Sequence, residues 1–306
     1  MILKRIPDKL KTDIEQFHSA PSGNNVLFFS ADSGMGKTYA ALSCCADNKD
    51  ILYFSFRNIS AELALKTFAE RYPDVFKDCT TWTVFFDCLK NYGKEKRPTV
   101  FFDDVGERND KTDFYAALKN FIDENNGCDV LGVLIGRPWE QVEIPCQTIS
   151  ITPYSTQEIA ETPSVSNKDS VDIFCLSAGI TELLSLYDTS ISFEENVKAL
   201  LHINSPFYCL MKDKMRECFR TPESYNTLLY AMVNGYNRIS ELSVFSGYPK
   251  NKCDKYVKTL CEFGLVRKEP EKNGHTKYHP ANSYIALWYK ILMTAIPNAD
   301  GSFGED

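Results

Sequence analysis

The chain of 306 residues is 43% hydrophobic and 25% charged and carries a net charge of −7, which is typical of a soluble globular protein of about two to three compact units. An acidic balance of this size argues against a protein coated in nucleic acid, and no apolar stretch is long enough to span a bilayer. The start, Met1–Pro7, lacks the apolar core of a signal peptide, so we expect a cytoplasmic protein with no membrane partner.

Residues 1–154 alternate between apolar runs and amphipathic segments, beginning with an amphipathic helix predicted over Pro7–Phe17. The predicted strands are Val26–Phe29, Ile51–Phe56, Thr99–Asp103, Val130–Ile135 and Gln147–Ile151, and the predicted helices begin at Tyr39 and cover Ala61–Arg71, Trp82–Tyr92 and Phe114–Ile122. The strands are rich in Val, Ile and Phe on both faces, which indicates a parallel sheet covered by helices on two sides.

The second half of the chain has a different pattern. Residues 155–220 are helical throughout, with capping-box spacing at Ser155 and Glu158 and at Ser192 and Glu195, and we interpret them as an all-α lid. Residues 221–290 are predicted to form a winged helix-turn-helix domain, with helices Pro222–Val233, Ile239–Phe245 and Asn251–Phe263 and strands Leu265–Lys268 and Lys277–His279 around Asn273-Gly274. Residues 291–306 form a tail whose Gly- and acid-rich end, from Pro297, is expected to be disordered.

Charge and cysteines are distributed unevenly over these parts. Residues 221–290 hold ten Lys and Arg against six Asp and Glu, a net charge of +4, so the remainder of the −7 chain carries −11. A basic module on an acidic body indicates an anionic partner for that module. The 11 cysteines include no C-x-x-C pair, and Cys44-Cys45 sits on one helix, where neighbours point in different directions. We therefore expect reduced, mostly buried thiols.

The first candidate site lies between the first strand and the following helix. It comprises Ala31, Asp32, Ser33, Gly34, Met35, Gly36, Lys37 and Thr38. This strand, loop and helix context predicts a phosphate-binding P-loop, in which backbone N–H groups and the helix N-terminus surround phosphate oxygens. Lys37 would contact the β and γ phosphates, and Thr38 would ligate Mg²⁺. Ala31 replaces the usual first glycine and is acceptable if its φ is negative; the alternative is a Gly-rich turn that happens to precede Lys-Thr.

The second candidate site follows the strand Thr99–Asp103. Asp103 is predicted to bind Mg²⁺ beside Thr38, and Asp104 to polarise an attacking water. Aspartate is shorter than the glutamate that many P-loop ATPases have there, so slow hydrolysis is expected. Glu107 is a second candidate base. The alternative is that these acids merely begin the loop after a strand, which is common.

Two arginines follow predicted strands. Arg137 comes after Val130–Ile135, where a cation could sense the γ-phosphate. An ordinary surface arginine in a connecting loop is equally compatible with the spacing. For Arg57, after Ile51–Phe56, the surface interpretation is preferred.

The residue pattern of the helix predicted over Asn251–Phe263 indicates a DNA contact. Its apolar face consists of Cys253, Tyr256, Val257, Leu260 and Cys261. Asn251, Lys252, Lys255 and Lys258 then face outward, and these residue types suit phosphate and base-edge contacts with duplex DNA. Asp254 and Glu262 would oppose such contacts, and a solvated lysine face on a packing module remains the alternative.

Taken in order, these residues resemble the STAND-type, AAA+-related ATPases of the "archaeal ATPase" family. The similarity runs through the P-loop, Tyr53–Phe68, Trp82, Phe102-Asp103-Asp104, Gly136-Arg137, Thr152-Pro153-Tyr154 with Glu158, Ser177–Ile180, Gly264-Leu265-Val266, Tyr278 and Trp288-Tyr289. The resemblance implies an α/β fold in which a P-loop NTPase parallel sheet flanked by helices precedes a helical lid and a winged helix. Two departures are Ala178 for a usual glycine and Thr181 for a usual proline.

The function expected from this reading is a slow ATPase that binds ATP and Mg²⁺ and acts as a molecular switch, with ATP-dependent self-association as a further expectation. One alternative is a DNA-binding regulator in which nucleotide locks the domains without being hydrolysed. A P-loop kinase of small molecules is a third interpretation, which the lid and winged helix make less suitable.

Overall fold

In a computed structural model the chain is described over residues 7–19, 26–45, 50–56, 59–105, 111–124, 129–138, 142, 144–162, 165–272 and 274–303. It divides into two compact units, Lys4–Thr152 and Pro153–Asp306. None of the described helices is long and apolar enough to cross a membrane. Each unit is built around its own core and is described separately.

The N-terminal unit alternates helices and strands as the sequence predicts. Its strands are β1 (Val26–Ser30), β2 (Ile51–Ser55), β3 (Thr99–Asp103), β4 (Leu131–Gly136) and β5 (Gln147–Ser150). Its helices are α1 (Asp8–Ser19), α2 (Lys37–Ser43), α3 (Ala61–Arg71), α4 (Pro73–Phe76), α5 (Trp82–Lys96) and α6 (Lys111–Glu124). The sequence-based boundaries agree with these to within a few residues. Continuous Val, Ile and Phe runs mark β1, β3 and β4, which are buried on both faces, whereas β2 alternates and β5 is mostly exposed.

The five strands form one parallel sheet in the order β2-β3-β4-β1-β5. The register pairs Ser30 of β1 with Gly136 of β4, and Asp103 of β3 with Ile135. The carboxyl ends of β1, β3 and β4 therefore meet at one edge of the sheet, the edge at which ligands bind in open α/β folds. This confirms the predicted parallel sheet flanked by helices.

One face of the sheet carries an aromatic cluster. Phe54 on β2 is fully buried and contacts the rings of Phe68, Phe85 and Phe102 at centroid distances of 4.5, 5.1 and 5.7 Å. Aromatic pairs of this geometry each contribute about 0.5–1.5 kcal/mol beyond their buried area. The cluster fixes β2 and β3 against α3 and α5, and so determines which residues of these strands face the other side.

The described cysteines are free, and several of them are buried. Burial raises the pKa of Cys44 to about 11 and that of Cys45 to about 12. Both side chains remain protonated thiols near neutral pH. Four of the ten described cysteines are buried, so the expectation that most cysteines are buried is wrong for the described part of the chain.

The C-terminal unit is helical apart from one hairpin. Its helices are α7 (Thr156–Ala160), α8 (Asn167–Ser177), α9 (Thr181–Ser185), α10 (Phe193–Leu200), α11 (Pro206–Cys218), α12 (Glu223–Val233), α13 (Ile239–Ser246), α14 (Lys250–Glu262) and α15 (Ser283–Leu287), followed by a π-helical turn at Trp288–Leu292. Strands β6 (Val266–Pro270) and β7 (Thr276–Pro280) pair antiparallel between α14 and α15. Both predicted capping boxes are present, at Ser155 with Glu158 and at Ser192 with Glu195.

The three predicted subdivisions of residues 155–306 belong to one compact unit. The hydroxyl of Ser283, the first residue of α15, donates to the carbonyl oxygen of Phe174 on α8 at 3.4 Å. A boundary between a lid and a winged helix at residues 220 and 221 stays a prediction. The expected disorder of the tail is wrong for its described part, because the Phe303 N–H donates to the Leu201 carbonyl and Gly301 packs on His202.

Two segments that carry the family resemblance, those around Tyr154 and Gly179, contact each other inside this unit. The Tyr154 N–H donates to the Gly179 carbonyl oxygen at 2.9 Å. Gly179 has φ +72°, and a Cβ added there would lie 2.1 Å from the Tyr154 carbonyl oxygen. The preceding residue, Ala178, ends α8 with φ 51°, a left-handed conformation that favours glycine. The departure at Ala178 therefore places a strained alanine beside an obligatory glycine.

The two adjacent positions are expected to respond oppositely to exchange of glycine and alanine. Gly179→Ala should lower the free energy of unfolding by about 2–5 kcal/mol, from about 1–2 for the left-handed φ and about 1–3 for overpacking. Ala178→Gly should stay within about 1 kcal/mol of wild type, because relief of strain offsets the greater freedom of the unfolded chain. Chemical denaturation followed by circular dichroism measures both; equal destabilisation by the two variants would contradict this account.

Candidate nucleotide site

The predicted P-loop occupies the turn between β1 and α2. Gly34 and Gly36 have φ of 80° and 74°, which only glycine adopts without strain. Ala31 is not among the described non-glycine residues with positive φ, so alanine meets the condition set for it by the sequence. Ala31 and Met35 are buried, whereas Ser33 and Gly34 are half-buried and Gly36 is exposed. The side chains of Ala31 and Met35 thus hold the loop against the interior of the N-terminal unit.

Lys37 begins α2 and folds back across the loop. Its Nζ donates to the carbonyl oxygen of Ala31 at 3.0 Å and to that of Asp32 at 3.2 Å. These bonds hold the ammonium group beside the backbone of the loop. A fixed positive charge within a ring of backbone amides is an arrangement suited to a phosphate chain.

Thr38 is the residue that joins the two predicted motifs. Its hydroxyl donates to Asp103 Oδ2 at 2.6 Å, across 65 positions of sequence. Asp103 is only 3% exposed, and its Oδ1 accepts the backbone N–H of Asp104 at 3.0 Å. Burial of a carboxylate is costly unless such donors surround it. The threonine at the start of α2 and the acid at the end of β3 are therefore in direct contact, and their joint role in binding Mg²⁺ stays a prediction.

Tyr53, on β2, is a site residue that the chemical reading of the sequence missed. Its hydroxyl donates to Asp103 Oδ2 at 2.7 Å. Burial and the hydrogen bond to Asp103 raise the pKa of Tyr53 above its usual range, so the phenol keeps the proton that it donates. The sequence signal was the polar alternation of Tyr53 and Ser55 within an apolar strand, but its meaning depends on β2 and β3 being neighbours.

Asp104 has an unusual backbone conformation, with φ 60°. Left-handed backbone is uncommon for residues other than glycine, although Asp and Asn tolerate it better than most. The Asp104 Oδ2 atom lies 3.5 Å from the Ser55 hydroxyl. The chain thus turns sharply directly after the buried Asp103 and places a second carboxylate at the same edge of the sheet.

Arg137 follows β4, which lies between β1 and β3 in the sheet. It is half-buried. The carbonyl oxygen of the preceding residue, Gly136, accepts the Ala31 N–H at 3.3 Å. The backbone before Arg137 therefore lies beside the first residue of the predicted P-loop. The other two candidates of the sequence, Glu107 and Arg57, lie outside the described residues.

The donor groups at this edge suit Mg²⁺. A threonine hydroxyl and a carboxylate are hard oxygen donors, and Mg²⁺ in nucleotide sites uses one or two such groups together with phosphates and waters. Among the described residues there is no group of three or more His, Cys, Asp or Glu that could hold a metal ion by itself. The Thr38 hydroxyl and the Asp103 carboxylate supply two hard oxygen donors, a set that suits a cation completed by phosphate oxygens and waters.

The predicted DNA-contacting residues lie on α14 in the C-terminal unit. Asn251, Lys255 and Lys258 are exposed, and Lys258 pairs with Asp254 at 2.7 Å. Lys252 is half-buried, with its Nζ 4.2 Å from the ring centroid of Tyr248. Cys253, Val257 and Leu260 form the buried face of the helix, as expected. The structure places the four residues on one helix but ties two of the lysines to neighbours within the protein.

Comparison with solved structures identifies the fold. A Walker-type ATPase of Pyrococcus abyssi has a TM-score of 0.70 at 13% sequence identity, over 93% of this chain and 95% of that chain. The RuvB Holliday junction branch migration motor of Thermotoga maritima is more distant, with a TM-score of 0.45 at 14% identity, over 87% of this chain and 89% of that chain. No family model matches the sequence, and neither does any curated protein. The chain thus has the P-loop NTPase fold.

The conformation of Asp104 determines how its side chain should be tested. Asp104→Asn is expected to stay within about 0.5 kcal/mol of wild-type stability, because Asn also tolerates left-handed backbone. Asp104→Ala should lose about 1 kcal/mol through backbone strain. Thermal unfolding measures both, and Ser55→Ala serves as the control for the contact between the two side chains. An Asp104→Asn variant as unstable as Asp104→Ala would contradict the role assigned to the backbone.

Proposed function

We propose that the protein is an ATP- and Mg²⁺-binding ATPase of the STAND-like, AAA+-related type, which acts as a slow molecular switch. The observation that carries this proposal is the 2.6 Å hydrogen bond between Thr38 of the P-loop and Asp103 after β3. A hydroxyl that ligates a cation does so through its lone pairs and must donate its hydrogen elsewhere. Asp103 is the acceptor for that hydrogen.

Each residue has a separate role in the proposed site. The backbone N–H groups from Ser33 to Gly36 bind phosphate oxygens, and Lys37 binds the β and γ phosphates. Thr38 and Asp103 hold Mg²⁺, with Asp103 acting as a charged acceptor. When bound, Mg²⁺ neutralises charge that develops on the phosphate oxygens during transfer. Arg137 is assigned the detection of the γ-phosphate, because its strand lies between β1 and β3.

Asp104 is proposed to orient the attacking water. Its carboxylate follows the buried Asp103 at the same edge of the sheet and can accept a hydrogen bond from a water molecule. A side chain one methylene shorter than glutamate, on a left-handed backbone, reaches less far toward that water. Slow turnover is therefore expected, which suits a switch that remains in its ATP-bound state for a long time.

Two substitutions separate binding from hydrolysis. Lys37→Ala should reduce ATP affinity at least 100-fold, because the loop loses its fixed charge. Asp104→Asn should keep ATP affinity within about threefold and lower phosphate release at least tenfold, since only the water-orienting carboxylate is lost. Calorimetry with ATP and Mg²⁺ and a phosphate-release assay measure the two effects.

Lys66→Ala is a matched control for the lysine, because Lys66 is exposed on α3. A wild-type protein without calorimetric ATP binding would contradict the proposed function. Binding without any phosphate release would favour the alternative in which nucleotide locks the protein without being consumed. Light scattering with and without a non-hydrolysable ATP analogue tests the ATP-dependent self-association proposed for the switch.

The C-terminal unit offers a second candidate function, duplex DNA binding through a winged helix. The observation that favours it is the sequence of three helices, α12, α13 and α14, followed directly by the β6–β7 hairpin. In this geometry the exposed side of α14, with Asn251, Lys255 and Lys258, would enter the major groove. Lys277 of the hairpin pairs with Glu271 at 3.1 Å and Lys258 pairs with Asp254 at 2.7 Å. Part of the positive charge is thus already neutralised, and only modest affinity is expected.

Replacing Lys252, Lys255 and Lys258 with alanine in the full chain should weaken duplex binding and reduce the slope of log affinity against log salt by about one to three. Fluorescence anisotropy between 50 and 200 mM salt, on the order of physiological strength, measures both. The matched control replaces Lys168, Lys198 and Lys212, which are exposed on α8, α10 and α11. Equal losses in the two triple variants, or no binding at low salt, would exclude α14 as a DNA-contacting surface.

A further inference from the structure

The side chain of Tyr53 lies on the face of the sheet opposite the aromatic cluster. Along β2, Leu52 and Phe54 are buried, whereas Ile51, Tyr53 and Ser55 are half-buried. Because side chains alternate along a strand, Tyr53 faces the other side from Phe54. On that side its hydroxyl meets Asp103 Oδ2 at 2.7 Å. The strand that supports the aromatic core therefore also delivers a phenol to the candidate cation site.

Asp103 receives three hydrogen bonds from residues that the structure describes, and these bonds differ in how they occupy its two oxygens. Oδ2 accepts the hydroxyls of Thr38 at 2.6 Å and Tyr53 at 2.7 Å. Oδ1 accepts the Asp104 N–H at 3.0 Å. A carboxylate oxygen has lone-pair room for about two donors, so Oδ2 is filled and Oδ1 retains one position. The carboxylate is held at both ends and cannot rotate without breaking a bond.

We propose that Tyr53 is a positioning residue for the Mg²⁺ site and acts through Asp103. Its hydroxyl holds Oδ2 where it accepts the Thr38 hydrogen, which leaves the Thr38 oxygen lone pairs available to the cation. The inference rests on the proposed ATP and Mg²⁺ binding. It extends that function by naming a residue of β2, outside the predicted P-loop, that acts on the same carboxylate as Thr38.

The expected effect of losing the Tyr53 hydroxyl follows from the rotation of the Asp103 carboxylate about its last side-chain torsion. Its last torsion is broad and has two equivalent orientations, so fewer donors on Oδ2 allow more orientations. Loss of a group that orients a metal ligand commonly costs about 10–100-fold in metal affinity or activity. In the proposed function the nucleotide is bound by the loop and by Lys37, whose Nζ donates to loop carbonyls, whereas the Tyr53 hydroxyl donates to Asp103. The defect should therefore appear in Mg²⁺ dependence.

The ring of Tyr53 is held independently of its hydroxyl. The Arg71 guanidinium lies 5.9 Å from the centroid of the ring, and the Tyr53 N–H donates to the Tyr72 hydroxyl at 3.1 Å. Tyr53→Phe retains the ring and the backbone bond, so the variant is expected to fold. Tyr72→Phe is a matched control, because it removes a neighbouring phenol oxygen that bonds to the Tyr53 backbone.

The test measures ATP binding to the full chain across a Mg²⁺ titration, and separately with EDTA. Tyr53→Phe should raise the half-saturating Mg²⁺ concentration about tenfold and leave ATP affinity in EDTA unchanged. Tyr72→Phe should match wild type in both measurements. A merely structural role for Tyr53 would alter thermal stability or ATP affinity in EDTA without a selective change in Mg²⁺ dependence.

The outcomes separate this inference from the proposed function. If wild type shows Mg²⁺-dependent ATP binding and folded Tyr53→Phe has the same half-saturating Mg²⁺ concentration, the positioning role is overturned and the ATPase proposal stands. If wild type binds no ATP, both are overturned. Tyr53→His, which keeps a ring and a hydrogen-bond donor, is a second variant should Tyr53→Phe fold poorly. Its half-saturating Mg²⁺ concentration should rise by less than about tenfold. A wild-type value for this variant would again overturn the positioning role.

Discussion

The hydrogen bond between Thr38 and Asp103 is the interaction on which the architecture of the site depends. It joins the loop after β1 to the end of β3, although β4 separates these strands in the sheet. Such a contact forms only when three parallel strands end at one edge in a single register. Correct assembly of the sheet is therefore a precondition for the site.

The same contact explains why the edge of the sheet is both polar and buried. Asp103 is 3% exposed, and a buried carboxylate is costly unless donors surround it. Thr38, Tyr53 and the Asp104 N–H supply those donors. The left-handed turn at Asp104 adds backbone strain at the same place, and local strain of this kind is characteristic of functional sites. Aromatic packing on the opposite face of the sheet offsets such costs.

The sequence predicted the strands and the turn between β1 and α2 well, because each is encoded in a short local pattern. The roles assigned to Lys37, Thr38 and Asp103 stay predictions. A local pattern could not identify Tyr53 as a site residue, because its contact with Asp103 depends on β2 and β3 being neighbours in the sheet. The prediction of disorder for the tail was wrong over its described part for a related reason. Its Gly- and acid-rich composition indicates disorder, but Gly301 packs on His202 and Phe303 on Tyr208, contacts made almost 100 positions apart. Local composition carries no record of such partners.

The central place of β1 has a consequence for motion. All five residues of β1 are buried, and the strand is hydrogen-bonded to β4 on one side and β5 on the other. Amides in such a strand exchange with solvent only through large openings of the structure. The strand is thus a rigid support for the loop that follows it. A change of conformation between Ala31 and Gly36 would leave the hydrogen bonds of β1 intact, and the sheet would keep its register.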